Sequence, residues 1–213
     1  MSTAKQEILE RIRGALRDVE SSRADEYAAI PRAYVQSTSD ALDQRLGLLT
    51  DRLHDYDATV YRCAPTDIQR TIGEALIARE KERILVPVGL PGEWLPPSFD
   101  FVVDRGLTYE EINVMEGVVT GSALVIAFTG TIVLRHSAEE GRRALTLIPD
   151  YHLCVVQARD VVQTVPEAIR KMALFGASPV TTVAGPSATA DIEMTRIKGV
   201  HGPRTLDVIL VVD

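Results

Sequence analysis

The stretch RILVPVG at residues 83–89 predicts a strand that is buried on both faces of a sheet. Its apolar side chains follow one another without alternating with polar ones, which is typical of strands in parallel sheets. Other apolar segments of strand length flank it on both sides in the chain. They lie at 58–63, 100–104, 123–127, 131–134, 180–185 and 206–212, with two more within 144–157. A sheet of several buried strands therefore forms the centre of the predicted fold.

Helical patterns separate these strands. Residues 65–81 carry apolar side chains at helical spacing, and residues 164–176 begin with a capping box formed by Thr164 and Glu167. Strands that alternate with helices indicate an α/β fold with a mainly parallel sheet and flanking helices. Because the region 118–157 is rich in strands, it can contribute antiparallel hairpins, which would make the sheet mixed.

The N-terminal part of the chain is helical in pattern. Residues 4–20 and 39–53 each place apolar side chains along one face. We therefore predict an N-terminal helical leader over residues 1–57, followed by an α/β domain over residues 58–213.

Composition narrows the classes of function. The 213 residues include 23 basic and 30 acidic ones, and the resulting net charge of −7 argues against a broad nucleic-acid interface. No apolar run approaches the roughly 20 residues of a membrane span, and the charged N-terminus is unlike a signal peptide, so we expect a cytoplasmic protein. Cys63 and Cys154 have no paired spacing, so we predict no disulfide, metal site or cofactor in this chain.

Three polar turns contain the residues that can carry chemistry. The first is Thr129-Gly130-Thr131, which lies between two apolar strands. Its backbone N–H groups and hydroxyls can hold a phosphate or a carboxylate. The alternative is an ordinary hairpin turn, for which these residue types are equally typical.

The second turn contains Asp150 and His152. Residues two apart face the same way on an extended chain, so the carboxylate can orient the imidazole and raise its basicity. The alternative makes Asp150 a turn residue and His152 a side chain at the edge of a strand. Both residues are catalytic candidates.

The third turn, Gly185-Pro186-Ser187, follows the strand predicted at 180–185. Ligands of open α/β sheets usually bind where the chain leaves the carboxyl end of a strand. Ser187 can cap a helix that begins there and leave N–H groups directed at a ligand. We therefore assign all three residues of this turn to ligand binding.

Charged residues follow the third turn. Asp191 and Glu193 are candidates for ligand binding, but they are two apart and do not share a helix face, which argues against a metal site made by this pair. Arg204 can bind a substrate carboxylate with two hydrogen bonds, and His201 can transfer a proton as a third catalytic candidate. The alternative is a solvent-exposed loop.

Elsewhere, the pair Arg142-Arg143 can also face an anion, although adjacent basic residues are more often at the surface.

Three segments resemble the LUD-domain family of lactate utilization proteins. They are TGTIVL (129–134), GRRALTLIPDYHLCVV (141–156) and GPSATADIEMTRIKGVHGPRTLDVILV (185–211), and the resemblance spans residues 58–213. It implies a fold like that of the sugar-phosphate isomerase and CoA-transferase superfamily, and a role in oxidising L-lactate to pyruvate. It also implies partner proteins, at least one of which carries iron-sulfur clusters.

One residue departs from the family pattern. Members typically have an acid just before the Thr-Gly pair, where this chain has Phe128. A CoA-transferase mechanism needs a glutamate nucleophile, so we do not transfer it to this chain. We expect a subunit without clusters that binds a small carboxylate, a phosphate or a partner. A free-standing isomerase or transferase and a purely structural interaction protein are the alternatives.

Overall fold

The computed structural model describes residues 3–16, 23–190, 196–198 and 201–212. Contacts divide the chain into two units, Met1–Tyr34 and Val35–Asp213. The described part of the first unit forms two helices, α1 (Ala4–Leu16) and α2 (Arg23–Ala29). No helix among the described residues is long and apolar enough to cross a membrane.

The second unit contains the other described helices and all the described strands. Its helices are α3 (Leu42–Asp55), α4 (Ile68–Ala78), α5 (Tyr109–Asn113) and α6 (Val165–Met172). Its strands are β1 (Thr59–Cys63), β2 (Arg83–Val86), β3 (Asp100–Val103), β4 (Gly117–Thr120), β5 (Leu124–Ile126), β6 (Thr131–Leu134), β7 (Tyr151–Gln157), β8 (Val161–Val162), β9 (Thr181–Val183), β10 (Ala188–Ala190), β11 (Arg196–Lys198) and β12 (Thr205–Val211).

A six-stranded parallel sheet forms the centre of the second unit, in the order β1-β12-β7-β4-β2-β3. The predicted α/β fold with a mainly parallel sheet and flanking helices is therefore confirmed. The apolar run of residues 84–86 lies in β2, between β4 and β3, and all three side chains are buried. This is the position that its unbroken hydrophobicity predicted.

Alternation along β7 creates two different cores. Tyr151, Leu153 and Val155 pack in one core with α4. Cys154 and Val156 belong to the other core, which contains the buried face of α3. The boundary predicted after residue 57 stays a prediction, although α3 lies within the second unit by contacts and contributes three buried leucines, Leu46, Leu49 and Leu53.

A second, four-stranded sheet has the order β8-β5-β6-β9. The antiparallel pairing of β5 with β6 is a hairpin of the kind expected within 118–157, but it lies in this second sheet and not in the six-stranded sheet, whose described pairings are all parallel. The sequence did not separate 180–185 from the strands of the parallel sheet, and this was wrong, because β9 pairs antiparallel with β6. Thr182, the middle residue of β9, is exposed, which suits the edge of a small sheet better than the interior of a parallel one.

The helix predicted after Ser187 is also absent from the described residues, which continue as β10. The Ser187 N–H donates to the carbonyl of Pro203 (2.8 Å), and its hydroxyl accepts from the N–H of His201 (3.1 Å). These two hydrogen bonds connect the turn to the segment before β12. The N–H and hydroxyl of Ser187 therefore bond to that segment instead of capping a helix.

Candidate functional site

A pocket of about 220 Å³ lies beside the amino ends of β7 and β12. Two turns converge on it, one after β9 and one before β12. The residues that matter for its chemistry are Arg143, Thr146, His152, Gly185, Ser187 and His201. The sequence had placed the turn after β9 at the carboxyl ends of the parallel strands. The pocket is instead at the opposite, amino ends, since β9 belongs to the second sheet.

Close packing fixes the first turn. Gly185 has φ +78°, in the left-handed region, and a Cβ there would lie 2.5 Å from the Cβ of Tyr56. Only glycine meets both conditions without strain. The turn therefore packs against the residue that follows α3, and its two bonds to Pro203 and His201 connect it to the second turn.

His152 forms part of the inner wall of the pocket. Its side chain is buried, and Nε2 lies 2.8 Å from the hydroxyl of Thr120. Burial, aided by the nearby charge of Arg143, lowers the pKa of His152 to about 4. The imidazole is therefore neutral near pH 7 and can accept a hydrogen bond or a proton.

Arg143 supplies the positive charge of the pocket. Its Nη1 donates to the carbonyl and hydroxyl of Thr146, at 2.9 and 3.1 Å. Burial lowers the pKa of the guanidinium, yet no carboxylate of the described residues forms a salt bridge with it. The guanidinium consequently has donors and charge available for an anion.

Its neighbour Arg142 is engaged differently. Nε and Nη2 bind both carboxylate oxygens of Asp104, at 2.8 and 3.0 Å, and Nη2 also donates to the carbonyl of Leu107. Arg142 therefore anchors a loop. The sequence noted both arginines but gave no signal of which one faces a pocket.

Asp150 does not contact His152 by hydrogen bond or ion pair in the described structure. It forms an ion pair with Arg204 (3.5 Å), and both side chains are 61% exposed. The two residues border a neighbouring depression that shares His201 and Gly202 with the pocket. Strand β7 begins at Tyr151, so Asp150 precedes the extended segment on which residues two apart would face one way.

The Thr129-Gly130-Thr131 turn lies outside the pocket lining and connects β5 to β6. Its two threonine hydroxyls are 2.7 Å apart and bond to each other. Gly130 has φ +61°, and a Cβ there would approach the Cβ of Arg52 to 2.9 Å. This geometry fits the hairpin alternative, whereas its ligand-binding role stays a prediction. Phe128 just before it is exposed.

Two of the candidates, Asp191 and Glu193, lie outside the described residues. For the described candidates, the structure brings His152, His201, Gly185, Pro186 and Ser187 to one pocket. It adds Thr146 and, behind His152, Thr120, which sequence reasoning did not name, and Arg143, which it noted only as one of a basic pair more often found at the surface. Their roles all stay predictions.

The described residues contain no group of three or more His, Cys, Asp or Glu side chains that could hold a metal ion. Both cysteines are buried and free. Burial raises the pKa of the Cys154 thiol to about 12 and also raises that of Cys63, so both side chains are neutral thiols near pH 7.

Comparison with known proteins shows to which family this chain belongs. Residues 32–211 match the LUD domain. The chain belongs to the LUD-domain family. Lactate utilization protein C of Deinococcus radiodurans is 39% identical over 211 residues, which cover 98% of this chain and 95% of that protein.

Two further LUD-family comparisons differ in coverage. Lactate utilization protein C of Bacillus subtilis is 36% identical over 127 residues, which cover 55% of this chain and 51% of that protein. The crystal structure of a DUF162 family protein from Deinococcus radiodurans matches with a TM-score of 0.72 and 36% identity. That match covers 81% of this chain and 99% of the other chain.

Proposed function

We propose that this LUD-domain protein is a component of an L-lactate oxidation system and binds a small carboxylate in the pocket between its two turns. Relatives named lactate utilization protein C support a role in lactate utilization. The finer assignment to lactate oxidation follows from the family resemblance and the chemistry of the pocket.

The single observation that carries the binding proposal is the state of Arg143. A partly buried guanidinium without a carboxylate partner has lost hydration and gained no ion pair among the described residues. A bound carboxylate compensates for that loss, because guanidinium and carboxylate form short, charge-assisted hydrogen bonds. Arg143 therefore has the character of a binding residue more than that of a structural one.

Pocket size favours a small ligand. The volume of about 220 Å³ is below the roughly 300 Å³ at which pockets for drug-sized ligands begin. A three-carbon carboxylate suits this space better than a nucleotide or coenzyme A. The adjacent neutral His152 offers a second polar contact for a substituent next to the carboxylate.

The proposed division of labour follows the family resemblance. Oxidation of lactate to pyruvate releases two electrons and two protons, which require acceptors. We assign electron acceptance to iron-sulfur partner proteins, and substrate binding to this chain. A free-standing isomerase or transferase and a structural interaction protein are the alternatives that the experiments must separate.

Calorimetric titration tests the binding site directly. L-lactate, pyruvate and inorganic phosphate are titrated into the purified chain and into Arg143→Gln. We expect the variant to bind carboxylates about ten-fold or more weakly, because it loses a charge-assisted bond. Arg105→Gln is the matched control, since Arg105 is exposed in a loop away from the pocket. Equal affinity of Arg143→Gln and wild type would contradict the assignment.

Pathway membership needs a separate experiment. Cells that lack the gene are tested for growth on lactate, and the tagged protein is purified to identify the proteins and cofactors that accompany it. We expect a growth defect that wild type corrects and Arg143→Gln does not. Correction by Arg143→Gln would instead support the structural alternative, and turnover by the purified chain alone would support the free-standing enzyme.

A further inference from the structure

The hydroxyl of Thr120 lies between a carbonyl and an imidazole. It is fully buried, 2.8 Å from the carbonyl oxygen of Gly121 and 2.8 Å from Nε2 of His152. The carbonyl can only accept a hydrogen bond, and the hydroxyl has one proton to donate. When that proton goes to Gly121, the hydroxyl oxygen accepts from His152, which places the imidazole hydrogen on Nε2.

The opposite arrangement satisfies these groups less well. If Thr120 donated to His152, the Gly121 carbonyl would retain only the thiol of Cys154 from this cluster, at 3.5 Å. A thiol is a weak donor, and a poorly satisfied buried carbonyl is costly. The hydrogen-bond network therefore assigns the Nε2–H tautomer to neutral His152.

This tautomer determines what the other ring nitrogen can do. With its hydrogen on Nε2, the imidazole carries a lone pair on Nδ1. His152 lines the pocket, and Nδ1 has no hydrogen-bond partner among the described residues. The low pKa that burial imposes keeps the ring neutral, so the lone pair is present near pH 7.

We infer that Thr120 and His152 make the pocket selective for a 2-hydroxycarboxylate over the corresponding 2-oxo acid. In this arrangement the ligand carboxylate binds Arg143, and the hydroxyl on the neighbouring carbon donates to Nδ1 of His152. A keto oxygen at that position is only an acceptor and meets the lone pair unfavourably. The inference rests on the proposed function, because it assumes that the carboxylate occupies this pocket.

Thr120 is thus a positioning residue, which acts on the ligand through His152. A net hydrogen bond of ordinary strength predicts about two- to ten-fold tighter binding of L-lactate than of pyruvate. Propionate, which lacks both the hydroxyl and the keto group, should bind more weakly than lactate. The order of these three ligands reports the direction of the hydrogen bond, which a purely structural role of Thr120 would not change.

Two measurements test this inference. Nitrogen-15 NMR of histidine-labelled protein identifies the tautomer of His152, with the His152→Gln variant used to assign its signals. Calorimetry then compares L-lactate, pyruvate and propionate in wild type, Thr120→Val and Thr120→Ser. We expect Thr120→Val to lose the preference for lactate, and Thr120→Ser, which keeps the hydroxyl, to retain it.

The outcomes separate the two proposals. If no carboxylate binds the wild-type chain, the proposed function fails and the selectivity fails with it. In the second case, carboxylates bind to wild type and bind more weakly to Arg143→Gln, as the proposed function expects. If pyruvate then binds to wild type as tightly as lactate or tighter, only the inference about Thr120 and His152 is overturned. An Nδ1–H tautomer in wild type also overturns it, even if Thr120→Val does not fold.

Discussion

The amino ends of β7 and β12 carry polar groups on both faces of the sheet, but the two faces differ in how those groups are paired. On the α4 face, the fully buried carboxylate of Asp207 accepts two bonds from Arg79, at 2.9 and 2.6 Å. It accepts a third from the hydroxyl of Tyr151, at 3.0 Å. On the opposite face, Arg143 has no carboxylate partner among the described residues.

This difference separates a structural charge from one that is available to a ligand. The Asp207 network is complete, since each charge has its counterpart within the protein, and burial together with Asp207 raises the pKa of the Tyr151 phenol. The Arg143 side of the sheet has donors and a neutral imidazole, but no carboxylate of the described residues pairs with Arg143. We therefore expect substitutions on the α4 face to change stability, and those on the pocket face to change binding.

The largest effect is expected from Arg79→Met. The change leaves the buried Asp207 carboxylate without its cation, and breaking one side of a buried pair typically costs about 3–5 kcal/mol. The measurement is the free energy of unfolding from urea titration. Arg70→Met in α4, the helix that ends just before Arg79, is the control, because its pairing with Glu74 is exposed and is expected to contribute at most about 0.5 kcal/mol. Similar losses in both variants would show that the buried pair of Arg79 and Asp207 stabilises the fold no more than an exposed pair does. The difference between the two faces of the sheet would then not hold.

The next effect is the pH dependence that His152 gives to stability. An unfolded histidine has a pKa of about 6.5, whereas that of His152 is about 4 in the fold. Between these values the unfolded chain binds a proton that the folded chain does not, so stability falls as pH falls. Between pH 7 and pH 4.5, we expect the free energy of unfolding of wild type to fall by about 2 kcal/mol more than that of His152→Gln. Parallel stability curves for the two proteins would show that His152 is not held neutral.

The same comparison explains what the sequence can predict. The run in β2 and the apolar segments of β7 and β12 identified the parallel sheet, because burial on both faces is encoded locally. The sheet to which β9 belongs was not predictable, since three residues of mixed exposure do not specify a pairing partner.

Site residues show the same division. Turn chemistry pointed to Gly185, Ser187 and His201 from the sequence alone, and the structure brings the three to one pocket, while their roles stay predictions. Arg142 and Arg143 are adjacent and chemically identical, however, and only the tertiary position of Asp104 determines that Arg142 is paired. Likewise, Asp150 is satisfied by Arg204, which is distant in sequence, so its expected partnership with His152 does not form in the described structure.

An effect of similar size is expected from Gly185→Ala, which tests how the pocket turn is held. The alanine would have to adopt a left-handed backbone conformation, and its Cβ would collide with Tyr56. We therefore expect the free energy of unfolding to fall by about 2 kcal/mol and carboxylate binding to weaken. Gly106→Ala is the control. Gly106 also has positive φ, at +99°, but a Cβ there meets nothing within 4 Å, so only the backbone cost of about 1 kcal/mol applies. Equal losses in thermal and urea unfolding would mean that the contact with Tyr56 is unimportant.

The smallest effect is expected from Asp150→Asn, and it sharpens the comparison at the rim of the pocket. The ion pair of Asp150 with Arg204 is long and largely exposed, so removing one charge should change the free energy of unfolding by less than about 1 kcal/mol. Because Asp150 forms no hydrogen bond or ion pair with the imidazole of His152 in the described structure, lactate affinity and lactate-dependent growth should remain within about two-fold of wild type. His152→Gln, measured in parallel, should lower both. A large loss of growth with Asp150→Asn, at unchanged stability, would return Asp150 to the catalytic role that the sequence predicted, with its carboxylate turning from Arg204 toward a bound ligand.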